Sequence, residues 1–218
     1  MKRYGRYRWS VRQYVELARQ LKPSWWAQMD WCCEPQIAKD NRDVAQRIEL
    51  TVVHLHECQR IAASENVPRP MPVLQGWKPG DYCRGPAYDE PFEWPELVGI
   101  GSVCRRHMNG PDGLFAVMEA LNAAVPHHVR FHLFGVKSQA IAKLLEEFPA
   151  RVASMDSMAW NVEARWQATK AGSRDKEREA RIMAEWYHKQ SAQIASPTIS
   201  DEQLLLLLGQ QTRAKNER

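Results

Sequence analysis

Five short apolar runs, separated mostly by helix-like segments, are the feature that most constrains the fold of this 218-residue chain. Each run has the length of a buried strand, and together they cover residues 25–30, 71–76, 96–103, 129–136 and 151–157. Strands that alternate with helices form parallel β/α units, because a crossover helix returns the chain to the same end of the sheet. The pattern therefore predicts an α/β fold with a parallel sheet.

The strand ends narrow the choice of parallel fold. Neither a GxGxxG nor a GxxxxGK[ST] sequence occurs, so the Gly-rich phosphate turn of a doubly wound sheet is missing. Polar residues stand instead at the carboxyl ends of four runs: Asp30, Gln75, Ser102 and Asp156. In a β/α barrel these ends converge on one mouth. We predict a TIM-type β/α barrel that is incomplete, since about five units are found where a closed barrel has eight.

The remaining segments carry helix signals. Apolar residues at helical spacing predict helices over residues 10–21, 43–64, 113–124 and 138–147, the third capped by Asp112. Beyond residue 170 the chain is highly charged, and Ser200 with Gln203 forms a capping box for a last helix. We expect a partial barrel domain over residues 1–170 and a charged helical extension over residues 171–218.

Composition excludes several classes of protein. With 44% hydrophobic and 26% charged residues, the chain is neither disordered nor collagen-like. No apolar stretch reaches the roughly 18 residues of a membrane-spanning helix, and the N-terminus lacks the apolar segment of a secretory signal. We therefore expect a cytoplasmic protein. The net charge is +4, and the basic residues before Glu16 form either a phosphate-binding arm or a solvated terminus.

Five cysteines lie at irregular spacings, the last of them Cys104. Their odd number argues against a disulfide framework, and no CxxC pair indicates a zinc site. We expect reduced, mostly buried thiols and no bound metal.

Five motifs at the strand ends carry a family resemblance. They are MDWCCEP, VLQGW, VGIGSVCRR, HLFGVK and SMDSMAW followed by AR. In order and spacing this series resembles the later strands of tRNA-guanine transglycosylases. It is most similar to their DNA-acting relatives, the DpdA-type deazapurine-in-DNA modification proteins. The resemblance covers roughly residues 4–166.

The resemblance implies roles for the strand-end residues. Asp30 matches the aspartate that recognises the base, and Gln75 matches the glutamine that reads the purine. Gly99 and Gly101 fall where the family's glycines let backbone amides approach the base. Asp156 matches the nucleophilic aspartate. The implied reaction is exchange of guanine in DNA for a 7-deazaguanine, such as 7-cyano-7-deazaguanine, through a covalent aspartyl-sugar intermediate and without a cofactor.

Nucleic-acid contacts follow from the same comparison. Arg165 lies where the family has an arginine facing the nucleic-acid backbone, and we expect Arg105 and Arg106 to contact phosphates as well. Trp31, Trp77 and Phe134 are candidates for stacking on the base. Because the target base has to leave its stack to reach a barrel mouth, a flipped nucleotide is implied.

Each assignment has a structural alternative. Asp156 can cap the segment after its strand, and Asp30 can pair with an arginine. Gln75 can belong to a plain turn, and the two glycines can ease tight packing. His132, inside an apolar strand, is more typical of a hydrogen-bonded core histidine than of a catalyst. Arg105 and Arg106 form by default a solvated loop pair.

The chain departs from the family pattern in two ways. The zinc site of the tRNA-acting members has no counterpart after Cys104, which favours the DNA-acting branch. The family's opening strands, with a second aspartate as general acid/base, also have no counterpart before Asp30. We expect either a truncated product or a protein partner that supplies the missing strands. The alternatives are a tRNA-guanine transglycosylase-like enzyme, a non-catalytic nucleic-acid-binding module, and an unrelated β/α hydrolase that uses Asp30 and Asp156.

Overall fold

The computed structural model describes residues 7–84, 92–104 and 106–195. The chain divides into two compact units. The first unit comprises Met1–Val136 and Ala150–Ser157, and the second comprises Lys137–Pro149 and Met158–Arg218.

A parallel sheet lies at the centre of the first unit. Its strands are β1 (Val73–Leu74), β2 (Leu97–Ile100), β3 (Arg130–Leu133) and β4 (Val152–Met155), and they neighbour one another in chain order. Beyond β1, Ala27 forms an isolated parallel bridge with Met71, so the first predicted strand is reduced to one bridge. The predicted α/β class and parallel pairing are confirmed. The strands are shorter than predicted, since the polar residues at their carboxyl ends belong to the loops that follow.

Within the described part of this unit, four helices accompany the sheet: α1 (Val11–Leu21), α2 (Asn41–Ser64), α3 (Pro79–Tyr82) and α4 (Leu114–Ala124). Ser10 opens α1 with a reciprocal capping box to Gln13, and the Asp40 carboxylate caps α2. The prediction that Asp112 caps α4 is wrong, because Gly113 occupies the N-cap position without a side-chain bond.

The core of the first unit packs on one face of the sheet. Val98 and Ile100 of β2 pair with Phe131 and Leu133 of β3, so all four side chains share a face, and none of them has exposed surface. The α4 helix contributes Val117, Met118 and Leu121 to the buried residues. A separate cluster joins α1 and α2 around Val15, Trp26, Cys58 and Ile61.

The second unit is helical. A 3₁₀ turn (Ser138–Ala140) leads into α5 (Ile141–Glu147), and α6 (Ala159–Ala171) packs on α7 (Lys176–Ala195). Gly172, with φ 68°, ends α6 in the left-handed conformation that favours glycine. The Trp186 indole donates to Ser138 Oγ at 2.9 Å and ties α7 to the 3₁₀ turn. The helix predicted to begin at Ser200 lies outside the described residues, as do the basic residues before Tyr7.

None of the helices in the described ranges is both long and apolar enough to cross a lipid bilayer.

Arg151 closes the carboxyl end of α4 from the start of β4. Its buried guanidinium donates to the carbonyls of Leu121 and Val125 at 3.3 and 3.0 Å, and of Pro126 and Val129 at 2.8 Å. It also lies 4.6 Å from the centre of the Phe131 ring. A helix end leaves carbonyls without intrahelical partners, and here one side chain satisfies them.

We expect Arg151→Met to lower the free energy of unfolding by about 3 kcal/mol, because buried carbonyls lose charged donors. Urea unfolding measures the loss. Arg151→Lys should lose less, since the ammonium keeps part of the bonding. The matched control Arg60→Met, at an exposed position of α2, should change stability by less than about 0.5 kcal/mol. Equal losses for Arg151→Met and Arg60→Met would contradict this account.

Candidate active site

A pocket opens at the carboxyl ends of the strands in the first unit. Its volume is about 360 Å³, within the usual range for small-molecule sites. Among the residues predicted for the site, those that line the pocket are Asp30, Gln75, Gly101 and Phe134. Asp30 follows the Ala27 bridge, and the other three follow β1, β2 and β3. The parallel register therefore brings together residues that are far apart in the sequence.

Asp30 and Gln75 contact each other directly. The Gln75 amide nitrogen donates to Asp30 Oδ2. Tyr7 fixes the Asp30 backbone, because its hydroxyl accepts from the Asp30 N–H at 3.0 Å and donates to the Asp30 carbonyl. Burial raises the pKa of the Asp30 carboxyl to about 6, and the bond from Gln75 offsets part of that rise. Asp30 is thus a carboxylate at neutral pH and a neutral acid at mildly acidic pH.

Ser102 completes this arrangement from the loop after β2. Its hydroxyl donates to Gln75 Oε1 at 2.5 Å and accepts from the Cys33 N–H at 2.6 Å. Ser102 stands at a predicted strand end, but its sequence context indicates no role for it. Only the register of β1 against β2, which sets Leu74 opposite Ile100, brings its hydroxyl to the Gln75 amide.

The two glycines do something other than expected. The N–H of Gly99 donates to Pro72 O at 2.8 Å and that of Gly101 to Leu74 O at 3.0 Å. Both of these amides therefore donate within the sheet and are not free donors for a base. The glycines provide space instead. A Cβ at Gly99 would stand 2.6 Å from Phe134 Cε2, and one at Gly101 would overlap the Gln75 amide.

Asp156 follows β4 and is held by β3 and the loop after it. Its Oδ1 accepts from the Gly135 N–H at 2.5 Å, and its Oδ2 lies 3.7 Å from His132 Nε2. The imidazole Nδ1 of His132 is 2.8 Å from Ser154 Oγ. A β-bulge positions these groups, because Phe131 pairs with Val152 whereas His132 pairs with Ser154.

The electrostatic setting keeps Asp156 ionised. The neighbouring His132 side chain lowers the pKa of the Asp156 carboxyl most, the Gly135 N–H adds to that effect, and burial opposes both. The Asp156 side chain remains 54% exposed, so a substrate can reach it. Ionisation and accessibility are the two properties that a carboxylate nucleophile needs.

Gly135 connects Asp156 with the pocket. It lines the pocket and donates its N–H to the Asp156 carboxylate. Its φ of 76° favours glycine, and a Cβ there would stand 2.5 Å from Cys104 Cβ. The centres of the Phe134 and His132 rings are 4.5 Å apart. Phe134 lines the pocket and His132 lies beside Asp156, so this contact also connects the pocket with Asp156.

The three arginines predicted to contact nucleic acid have different outcomes. Arg165 lies exposed on α6 in the second unit, and Arg105 is outside the described residues. Arg106 is only 2% exposed. It donates to the carbonyls of Trp77, Asp112 and Gly76, and to the Tyr82 hydroxyl.

Arg106 is therefore corrected from a phosphate contact to a structural residue. Its guanidinium lies 4.3 Å from the centre of the Trp77 ring, and Tyr82 in turn donates to the Gly101 carbonyl at 2.9 Å. These bonds tie the loop after β1 to the loop after β2. Both loops carry pocket residues, so Arg106 supports the site without lining it.

Within residues 7–84, 92–104 and 106–195, there is no cluster of three or more histidine, cysteine, aspartate or glutamate side chains that could hold a metal ion.

Comparison with known proteins identifies one family. A family model described as DpdA, deoxypurine in DNA protein A, matches residues 3–213, nearly the whole chain. A search of curated proteins returned no match. The resemblance inferred from the five strand-end motifs is confirmed by the family match.

We expect His132→Phe to raise the pKa of the Asp156 carboxyl toward its ordinary value, because the largest cause of its lowering is removed. NMR titration of the aspartate carboxyl carbons measures this pKa. The control His127→Phe, at an exposed position, should leave it unchanged. An unchanged Asp156 titration in the His132 variant would contradict the electrostatic account.

Proposed function

Because this chain belongs to the DpdA family, we propose that it replaces guanine in DNA by a 7-deazaguanine through base exchange. The family match supports a part in deazapurine modification of DNA. The observation that carries the proposed reaction is the pocket itself, in which Asp30, Gln75 and Phe134 surround one space and Gly135 joins that space to Asp156.

In this proposal Asp30 and Gln75 recognise the base. The edge of guanine presents N1–H and the 2-amino group as adjacent donors, and the Asp30 carboxylate can accept from both. Gln75 gives one N–H to Asp30 and has a second N–H for the O6 acceptor. The glycine amides are not needed as donors. Phe134 offers an aromatic face for the base.

The chemical step in this proposal belongs to Asp156. Its carboxylate bonds to C1′ of the deoxyribose as the bond to guanine breaks, and guanine leaves with the bonding electrons and takes a proton from water. The developing positive charge on the sugar favours an ionised carboxylate nearby. The N9 of a 7-deazaguanine then attacks C1′, loses its proton and releases the Asp156 carboxylate. One glycosidic bond is exchanged for another, so neither a redox cofactor nor ATP is required.

The sheet order supports the proposal of a TIM-type barrel. Parallel strands that neighbour one another in chain order, without reversal, are the arrangement within a β/α barrel. In this proposal residues 1–170 form the transglycosylase-like part and residues 171–218 the helical extension.

The second unit supplies the proposed contact with the DNA backbone. Arg165 lines an open groove of about 550 Å³ together with Arg174 and the hydroxyl-bearing residues Thr169 and Ser173. Arginine and hydroxyl groups are common phosphate partners. We propose that this groove receives a phosphate of the DNA backbone.

We expect Asp156→Asn to abolish base exchange and covalent trapping, since a carboxamide cannot form the sugar ester. The measurement uses guanine-containing DNA with labelled 7-deazaguanine, followed by denaturing electrophoresis for the protein–DNA adduct. The control Asp43→Asn, in the exposed first turn of α2, should exchange and trap like the wild type. Trapping by the Asp156 variant would overturn the nucleophile assignment. Salt-sensitive DNA binding without exchange by any variant would favour a binding module.

We expect base affinity to fall as the pH drops below about 6, because the protonated Asp30 carboxyl no longer accepts two N–H groups. Calorimetric binding of 7-deazaguanine between about pH 5 and about pH 8 measures this. The Asp30→Asn variant should bind 7-deazaguanine weakly, and its affinity should not change as the pH passes through about 6. The raised pKa also means that ionisation of Asp30 costs stability as the pH rises from about 4 to about 6. Equal wild-type affinity at both ends of the range would contradict the role of Asp30.

A further inference from the structure

A chain of hydrogen bonds crosses the floor of the pocket. The Cys33 N–H donates to Ser102 Oγ at 2.6 Å, the Ser102 hydroxyl donates to Gln75 Oε1 at 2.5 Å, and the Gln75 amide nitrogen donates to Asp30 Oδ2. Ser102 and Gln75 are buried, with exposures of 7% and 2%. Buried bonds of this kind hold their groups in one orientation, because a broken bond leaves a polar atom without a partner.

These hydrogen bonds fix the orientation of the Gln75 side-chain amide, because its nitrogen and its oxygen each have their own partner. Asp30 as a carboxylate only accepts hydrogen bonds, so it requires the amide nitrogen on its side. On the other side, the Ser102 hydroxyl already accepts from Cys33 and turns its hydrogen toward the amide oxygen. A flipped amide would set its oxygen against the Asp30 carboxylate and leave the Ser102 hydrogen without its acceptor.

The backbone at Ser102 is unusual for a residue with a side chain. Its φ is 57°, in the left-handed region that favours glycine, and Gly101 precedes it. Gly101 lets the Gln75 amide lie against the strand, since a Cβ there would overlap that amide. The next position keeps a side chain despite its conformation, and that side chain makes the bond to Gln75. Strained positions of this kind cluster at functional sites.

We infer that Ser102 is a specificity-positioning residue, whose hydroxyl fixes the Gln75 amide so that the pocket accepts 6-oxo purines and rejects 6-amino purines. The inference rests on the proposed function. With Ser102 in place, the free N–H of Gln75 meets the O6 acceptor of a guanine-type base. A 6-amino group at the same point would place donor against donor. Without the hydroxyl only Asp30 orients the amide, and a flipped amide would present its oxygen to a 6-amino group.

The test compares two free bases that share the 2-amino group and differ at the 6-position and N1: 7-deazaguanine and 2,6-diamino-7-deazapurine. Isothermal titration calorimetry on the full chain gives both dissociation constants for the wild type, Ser102→Ala and Ser102→Gly. We expect the wild type to prefer 7-deazaguanine by about 100-fold or more, and both variants to lose about 10-fold of that preference. In exchange assays the KM for the incoming 7-deazaguanine should rise while kcat stays near the wild-type value.

Ser102→Gly is the matched control for the backbone, because glycine tolerates the φ of this position and lacks the hydroxyl. If the hydroxyl is responsible for the preference for 7-deazaguanine, the glycine and alanine variants lose that preference to the same extent. A glycine variant with wild-type preference would overturn the inference and assign the effect to the backbone. Ser64→Ala, at the exposed end of α2, should retain the full preference.

The outcomes separate this inference from the function on which it rests. If the wild type prefers 7-deazaguanine and both Ser102 variants keep the wild-type preference, Ser102 has no role in specificity and the proposed function stands. If the wild type binds neither base, the proposed function fails and the inference falls with it.

Discussion

The hydrogen bond between the Gln75 amide and the Asp30 carboxylate joins two chain segments at the carboxyl edge of the sheet. Parallel pairing brings the two segments together, because Ala27 pairs with Met71 and both segments then leave the sheet at the same end. The bond places the Asp30 carboxylate, a hydrogen-bond acceptor, beside the Gln75 amide nitrogen, a donor, in a partly buried pocket. Tyr7 beneath Asp30 and Ser102 beside Gln75 leave both groups little freedom. Recognition of a purine edge in our proposal depends on this pair.

The reacting end of the site depends on one irregularity in the sheet. The bulge between β3 and β4 sets Ser154 opposite His132 and lets Asp156 turn toward the Gly135 N–H. His132 and that N–H both lower the pKa of the Asp156 carboxyl, so the groups that hold Asp156 in place also favour its ionised form. Phe134 lies between this end and the recognition end, with Gly99 providing the space for its ring.

Strand-end polarity in the sequence was enough to predict Asp30, Gln75 and Asp156 as neighbours of one edge, since parallel strands expose the same ends together. It did not identify the partners of those residues. His132 sits within an apolar run, and only strand register reveals that its ring reaches Asp156. Arg106 looked like a solvated arginine because sequence alone does not show that Trp77 and Tyr82 enclose it. The sequence also does not show that the N–H groups of Gly99 and Gly101 already donate to neighbouring strand carbonyls.

The central claim is that the Asp156 carboxylate bonds to the sugar during base exchange. Mass-spectrometric mapping of wild-type protein trapped on guanine-containing DNA tests it most directly. Our account predicts that the sugar-linked mass is found on the peptide containing Asp156, attached to that side chain. A sugar adduct on Asp30 or on any other residue, or base exchange without any protein adduct, would contradict it.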